Sequence, residues 1–108
     1  MALYHLQVAY TPEAWAVQLQ NPLDRREAVG QVVERLGGYI ESAYYAFGDY
    51  EAILIIEMPD NVSAAAFSLA VSAGGAVKAI KTTPLLTIED GIAAMQKAAG
   101  AGYRPPGS

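Results

Sequence analysis

Glu51-Ala52-Ile53-Leu54-Ile55-Ile56-Glu57-Met58-Pro59-Asp60 is the stretch on which the reading of this chain turns. Ala52 to Ile56 is an unbroken apolar run rich in β-branched residues, with Gly48-Asp49 before it and Pro59-Asp60 after it. That pattern describes a strand with both faces dry. Successive side chains of a strand point to opposite faces, so Ile53 and Ile55 need cover on one side and Leu54 and Ile56 on the other. At ~25 cal/mol per Å² of apolar surface, leaving either pair in water forgoes a large part of the ~5–15 kcal/mol that holds a domain together. Helices of the same chain can cover one face, and the simplest cover for the other is the matching sheet of a second copy.

Working outward, Tyr39 to Phe47 (YIESAYYAF) reads as a strand that Gly48-Asp49 turns into the strand Tyr50 to Met58, forming a hairpin. Residues 2–10 (ALYHLQVAY) alternate, with Tyr4, Leu6, Val8 and Tyr10 on one face and Leu3, His5, Gln7 and Ala9 on the other. Ala76 to Thr83 (AVKAIKTT) supplies a fourth strand. Between them, Thr11-Pro12-Glu13 offers an N-cap and a proline at the first helical position for a short helix carrying Trp15, interrupted at Asn21-Pro22. Val29, Val32, Val33 and Leu36 recur at helical spacing between Asp24 and Gly37, closed by Gly37-Gly38. Pro59-Asp60-Asn61 caps a helix of about Val62 to Ser72 that Gly74-Gly75 ends, and a last helix spans Ile88 to about Ala99 with Ile92 and Met95 in register. The order is βαββαβ plus a C-terminal helix, an α+β fold of the ferredoxin-like kind with a four-stranded antiparallel sheet. The expected organisation is one domain over residues 1–99 and a loose Gly- and Pro-rich tail over 100–108.

The hairpin also carries a resemblance. Phe47-Gly48-Asp49-Tyr50-Glu51, the apolar strand after it and Glu57-Met58-Pro59-Asp60 are similar to the signature of the GYD domain family, named for a Gly-x-Tyr-Asp core at this position. Tyr4 in the opening strand, Tyr10-Thr11, Asn21-Pro22 with Asp24-Arg25 after Trp15, and Leu36-Gly37-Gly38 extend the likeness over roughly residues 3 to 90. The chain departs from the pattern at Glu51, where the family usually has Asp; a longer side chain caps a tight turn less well. The resemblance implies a dimeric α/β barrel, in which two such sheets face each other around a shared cavity. It implies no one activity, since proteins of that superfamily range from cofactor-free monooxygenases and isomerases to haem enzymes and ligand-sensing modules.

Composition narrows the classes. Hydrophobic residues make up 53% of the 108-residue chain and charged residues 17%, an apolar excess that suits a buried subunit contact. A net charge of −4 with scattered basic residues lacks the footprint of phosphate-backbone binding, so no nucleic-acid partner is expected. With no cysteine there is no disulfide, thiolate nucleophile or thiolate metal site, which fits a reducing compartment; with one histidine as well, no metal and no cofactor is expected. No leader pattern and no membrane-length apolar run occurs, and the expected location is the cytoplasm.

His5 is the one side chain whose ordinary pKa lies near neutrality, which makes it the candidate general base or acid; Gln7 shares its strand face. The plain alternative is that the two satisfy each other or solvent at a subunit boundary. Tyr50 sits at the hairpin mouth, where its hydroxyl could meet a ligand or fix the turn, and Tyr44 and Tyr45 point to opposite faces, so one of them can line a cavity. Trp15 is a core plug, an interface anchor or a stacking platform. Glu51 and Glu57 share a face but stand about 20 Å apart along a strand, and read as solvated strand-end charges. Lys78 and Lys81 take opposite faces of an edge strand. Arg25 and Arg26, near the start of a helix, could support an anion or simply decorate its surface. Three functions fit: a homo-oligomeric module holding a small apolar molecule between sheets through His5, Gln7 and a tyrosine; a dry assembly module; and a cofactor-free oxygenase- or isomerase-like enzyme with His5 as base.

Overall fold

A computed structural model describes residues 1–107. The elements follow in the order β1 (Ala2–Tyr10), α1 (Pro12–Gln20), α2 (Arg26–Arg35), β2 (Tyr39–Tyr45), β3 (Ala52–Met58), α3 (Asn61–Ala73), β4 (Val77–Leu85) and α4 (Ile88–Ala99). The helix starts follow their local chemistry. Thr11 caps α1 by accepting from the Ala14 N–H with Pro12 next in line, Asp60 caps α3 through the Ser63 N–H, and Thr87 caps α4 through the Asp90 N–H. The four strands form one antiparallel sheet in the order β2-β3-β1-β4.

Pairing of β1 with β3 sets Tyr4 opposite Ile56, His5 opposite Ile55, Leu6 opposite Leu54 and Gln7 opposite Ile53. The even positions turn toward the helices. Tyr4, Leu6, Ile56 and Met58 are buried there with Val33 of α2 and Ala64 and Phe67 of α3, and Leu54, Val29, Val32 and Val71 pack around them. The Tyr4 hydroxyl reaches the end of that core and donates to Asn61 Oδ1 at 2.6 Å, which satisfies a polar atom on a side chain only 2% exposed.

The strands around the hairpin are shorter than the sequence suggests, ending at Tyr45 and beginning at Ala52. Residues 46–51 form a loop instead of a tight turn, closed by the Ala46 N–H donating to the Glu51 carbonyl at 2.9 Å, with Gly48 at φ 131°. At the other edge β4 runs on through Pro84, whose missing N–H an edge strand tolerates. α1 is a full nine-residue helix. The expected loose tail ends at Ser108, outside the described residues, and residues 101–107 form no helix or strand.

Only α2 and α3 pack broadly on the sheet, whereas α1 and α4 lie broadly against no other element. Ile88, Ile92 and Met95 on α4, with Leu86 just before it, are consequently exposed. The radius of gyration, 17.4 Å, exceeds the ~13 Å expected of a compact chain of this length.

Gly38, where α2 hands over to β2, is buried under β3, and a Cβ there would collide with the Glu57 carbonyl and the Met58 sulfur. Backbone cannot give way as a side chain tip can. Gly38→Ala is therefore expected to destabilise the fold by about 1–3 kcal/mol or more, whereas Gly91→Ala, with open space around it, should stabilise α4 by up to about 1 kcal/mol; paired thermal melts check both.

Candidate functional site

The face of the sheet away from α2 and α3 leaves Leu3, His5, Gln7, Ile53 and Ile55 only half-buried, although Ala9 at its end is buried. Its rows follow from register. Ser42, Ile55, His5 and Thr83 lie side by side across the four strands, flanked by Tyr44, Ile53, Gln7 and Lys81 on one side and by Tyr39, Glu57, Leu3 and Leu85 on the other. His5 thus occupies the centre of this face on a central strand, half-buried, and among the described residues its imidazole has no hydrogen-bond partner. The apolar members, Ile53, Ile55 and Leu3, are half-buried. At the rim, the Tyr39 hydroxyl donates to Glu57, and that bond, ahead of desolvation and the charges of Glu57 and Glu41, holds the phenol above its ordinary value.

Of the residues singled out from the sequence, His5, Gln7 and Tyr44 share this face. Tyr45 does not: it pairs with Ala52 and turns to the helix side. Tyr50 lies half-buried in the 46–51 loop. Trp15 belongs to a separate construction. Its ring meets Tyr10 edge-on at 5.3 Å, and its indole N–H donates to Glu51 Oε2 at 2.9 Å while the Tyr10 backbone N–H donates to Glu51 Oε1 at 2.9 Å. Glu51 is therefore not the solvated strand-end charge its position suggests. Its longer side chain reaches across β1 to α1, which a turn-capping Asp has less length to do. The Tyr10 N–H first, then the Trp15 N–H, hold its carboxyl below the usual range; desolvation opposes them and Lys78 assists.

On the helix side, a cavity of about 630 Å³ lies between α2, α3 and the sheet, lined by residues of both helices and of all four strands. Buried Val8 and Phe67 and half-buried Val29, Leu54 and Val71 line it, and exposed Arg25, Arg26, Tyr45 and Ala70 lie where it meets solvent. Arg26 is engaged at the mouth, pairing with Asp24 at 2.6 Å and holding that carboxyl down to about 2. Tyr10 also lines the cavity; burial pushes its phenol up, Tyr45 adds to this, Arg25 opposes it and Glu51 adds again. No periodicity announces such a space, because its lining comes from six elements far apart in the sequence. Among the described residues no cluster of His, Asp and Glu is placed to hold a metal ion, and no helix is long and apolar enough to cross a membrane.

The sequence profile of the GYD domain matches residues 4–95. No match is found among curated protein sequences. Among solved structures, the chain resembles MtbAldR with a TM-score of 0.56 and 16% identity, covering 80% of this chain and 52% of that one. It resembles TTHA0845 from Thermus thermophilus at 0.53 and 12%, covering 81% and 95%, and the hypothetical protein PHS023 from Pyrococcus horikoshii at 0.51 and 11%, covering 81% and 92%. At such identities the likeness is one of fold, the ferredoxin-like arrangement.

Because the folded-state pKa of Glu51 is depressed, the stability it contributes is present above its ordinary value of 4.5 and is lost as pH falls through the lower, folded value. Trp15 is the sole tryptophan, so its emission reports this contact directly. Emission should stay flat from neutral pH to about 4.5 and shift only below that; Glu51→Gln should remove that step, and Glu51→Ala should shift the spectrum already at pH 7.

Proposed function

The chain belongs to the GYD domain family, and from that membership and its open sheet face we propose that it is a homo-oligomeric module whose sheet packs face to face on the sheet of a second copy. The observation that supports this reading is the set of Ile53, Ile55 and Leu3 around His5, apolar side chains that the fold leaves only half-buried on the face away from α2 and α3. Full burial of each isoleucine is worth about 1.5–3 kcal/mol relative to exposure, and a two-fold pairing counts each residue twice. Two sheets about 10 Å apart leave His5, Gln7 and Tyr44 of both copies in the shared space, where they are the polar contacts available to a small, mostly apolar molecule. The exposed stripe of α4 extends the apolar surface open to a partner, and the chain's lack of cysteine suits the reducing cytoplasm.

Native mass spectrometry of the purified protein is expected to give an even-numbered oligomer, with any retained molecule visible as added mass. Ile55→Glu, which sets a carboxylate beside His5 at the centre of the contact, should yield monomer with unchanged far-UV circular dichroism. A wild-type protein that is monomeric at tens of micromolar overturns the proposal.

A further inference from the structure

We propose that the cavity between the sheet and the α2–α3 pair is a binding site for an amphiphilic monocarboxylate, its apolar body between Val8, Leu54, Phe67 and Val71 and its carboxylate at Arg25. Protein interiors are packed with few voids larger than a water molecule, and a volume of about 630 Å³ lies within the ~300–1,000 Å³ typical of small-molecule pockets. The lining is largely aliphatic and aromatic, which selects an apolar body.

Charge at the mouth selects the head. Asp24, Arg25 and Arg26 line it together, and Asp24 is engaged by Arg26 through its side-chain and backbone N–H groups. Arg25, among the described residues, forms neither an ion pair nor a side-chain hydrogen bond. The trio therefore carries one uncompensated positive charge on a chain of net charge −4. A guanidinium offers the forked donor geometry that matches a carboxylate. Tyr10 and Tyr45 line the same cavity as Arg25. The site lies on the opposite side of the sheet from the assembly face and does not rest on the oligomeric reading.

Sodium octanoate and 1-octanol, titrated calorimetrically into the folded protein, separate the head from the body. Octanoate should bind saturably at one molecule per chain. Arg25→Gln should weaken octanoate about tenfold or more, the loss of a charge-assisted contact, and leave octanol unchanged. Ala70→Trp, at the exposed mouth, should abolish both, with circular dichroism confirming the fold. Ile55→Glu, on the other face, should bind octanoate as the wild type does, so failure of the assembly proposal leaves this one standing. Absence of saturable octanoate binding, an undiminished affinity in Arg25→Gln, or equal loss of acid and alcohol in that variant overturns the proposal.

Discussion

The pairing of β1 with β3 is the constraint on which the remaining structure depends. Tyr4 and Leu6 can join Ile56, Val33 and Phe67 in the core only in the register that sets Tyr4 against Ile56 and Leu6 against Leu54. The side-chain period of a strand is two, so a slip of β1 by one residue would put His5 and Gln7 under the helices and Tyr4 and Leu6 on the opposite face. The cost of burying those polar groups without partners, added to the lost burial of the apolar ones, sets this register far below its neighbours in free energy. Everything on the face away from α2 and α3, including the central place of His5, is a by-product of that choice.

Glu51 carries the same constraint into the periphery. Its backbone N–H donates to the Val8 carbonyl at 2.8 Å, its carbonyl closes the 46–51 loop onto Ala46, and its carboxylate holds the Tyr10 and Trp15 N–H groups. One residue thus ties the end of β1, the start of β3 and α1 together, although α1 has no buried side chain of its own. The departure from a family Asp at this position is matched by the reach that a longer side chain provides.

The sheet separates two surfaces of different character. One is open, with Leu3, Ile53 and Ile55 half-buried among His5, Gln7, Ser42, Thr83 and the charged and phenolic groups of its rim. The other is an open cavity with a largely apolar lining and, among the described residues, one guanidinium at its mouth without an ion pair. Val33 and Phe67 close the core between α2, α3 and the sheet, whereas Val29, Val71 and Ala70 line the space left beside it.

From the sequence alone came the α+β class, the order of the elements, the helix caps at Thr11 and Asp60, the alternation of β1 and the two-sided apolar character of residues 52–56, because each rests on local periodicity or on side chains that act within a turn of themselves. Its limits were also local: Gly48-Asp49 looked like a tight turn, and Glu51 like a solvated end. Tertiary structure decided that Glu51 reaches Trp15 thirty-six positions earlier, that of Tyr44 and Tyr45 it is Tyr45 that takes the helix side, that among the described residues Arg26 has an ion pair and Arg25 has none, and that a cavity lies between two ordinary helices and the sheet. These depend on distances between residues far apart in the chain and on the angle at which helices meet a twisted sheet, quantities that no spacing along the sequence encodes.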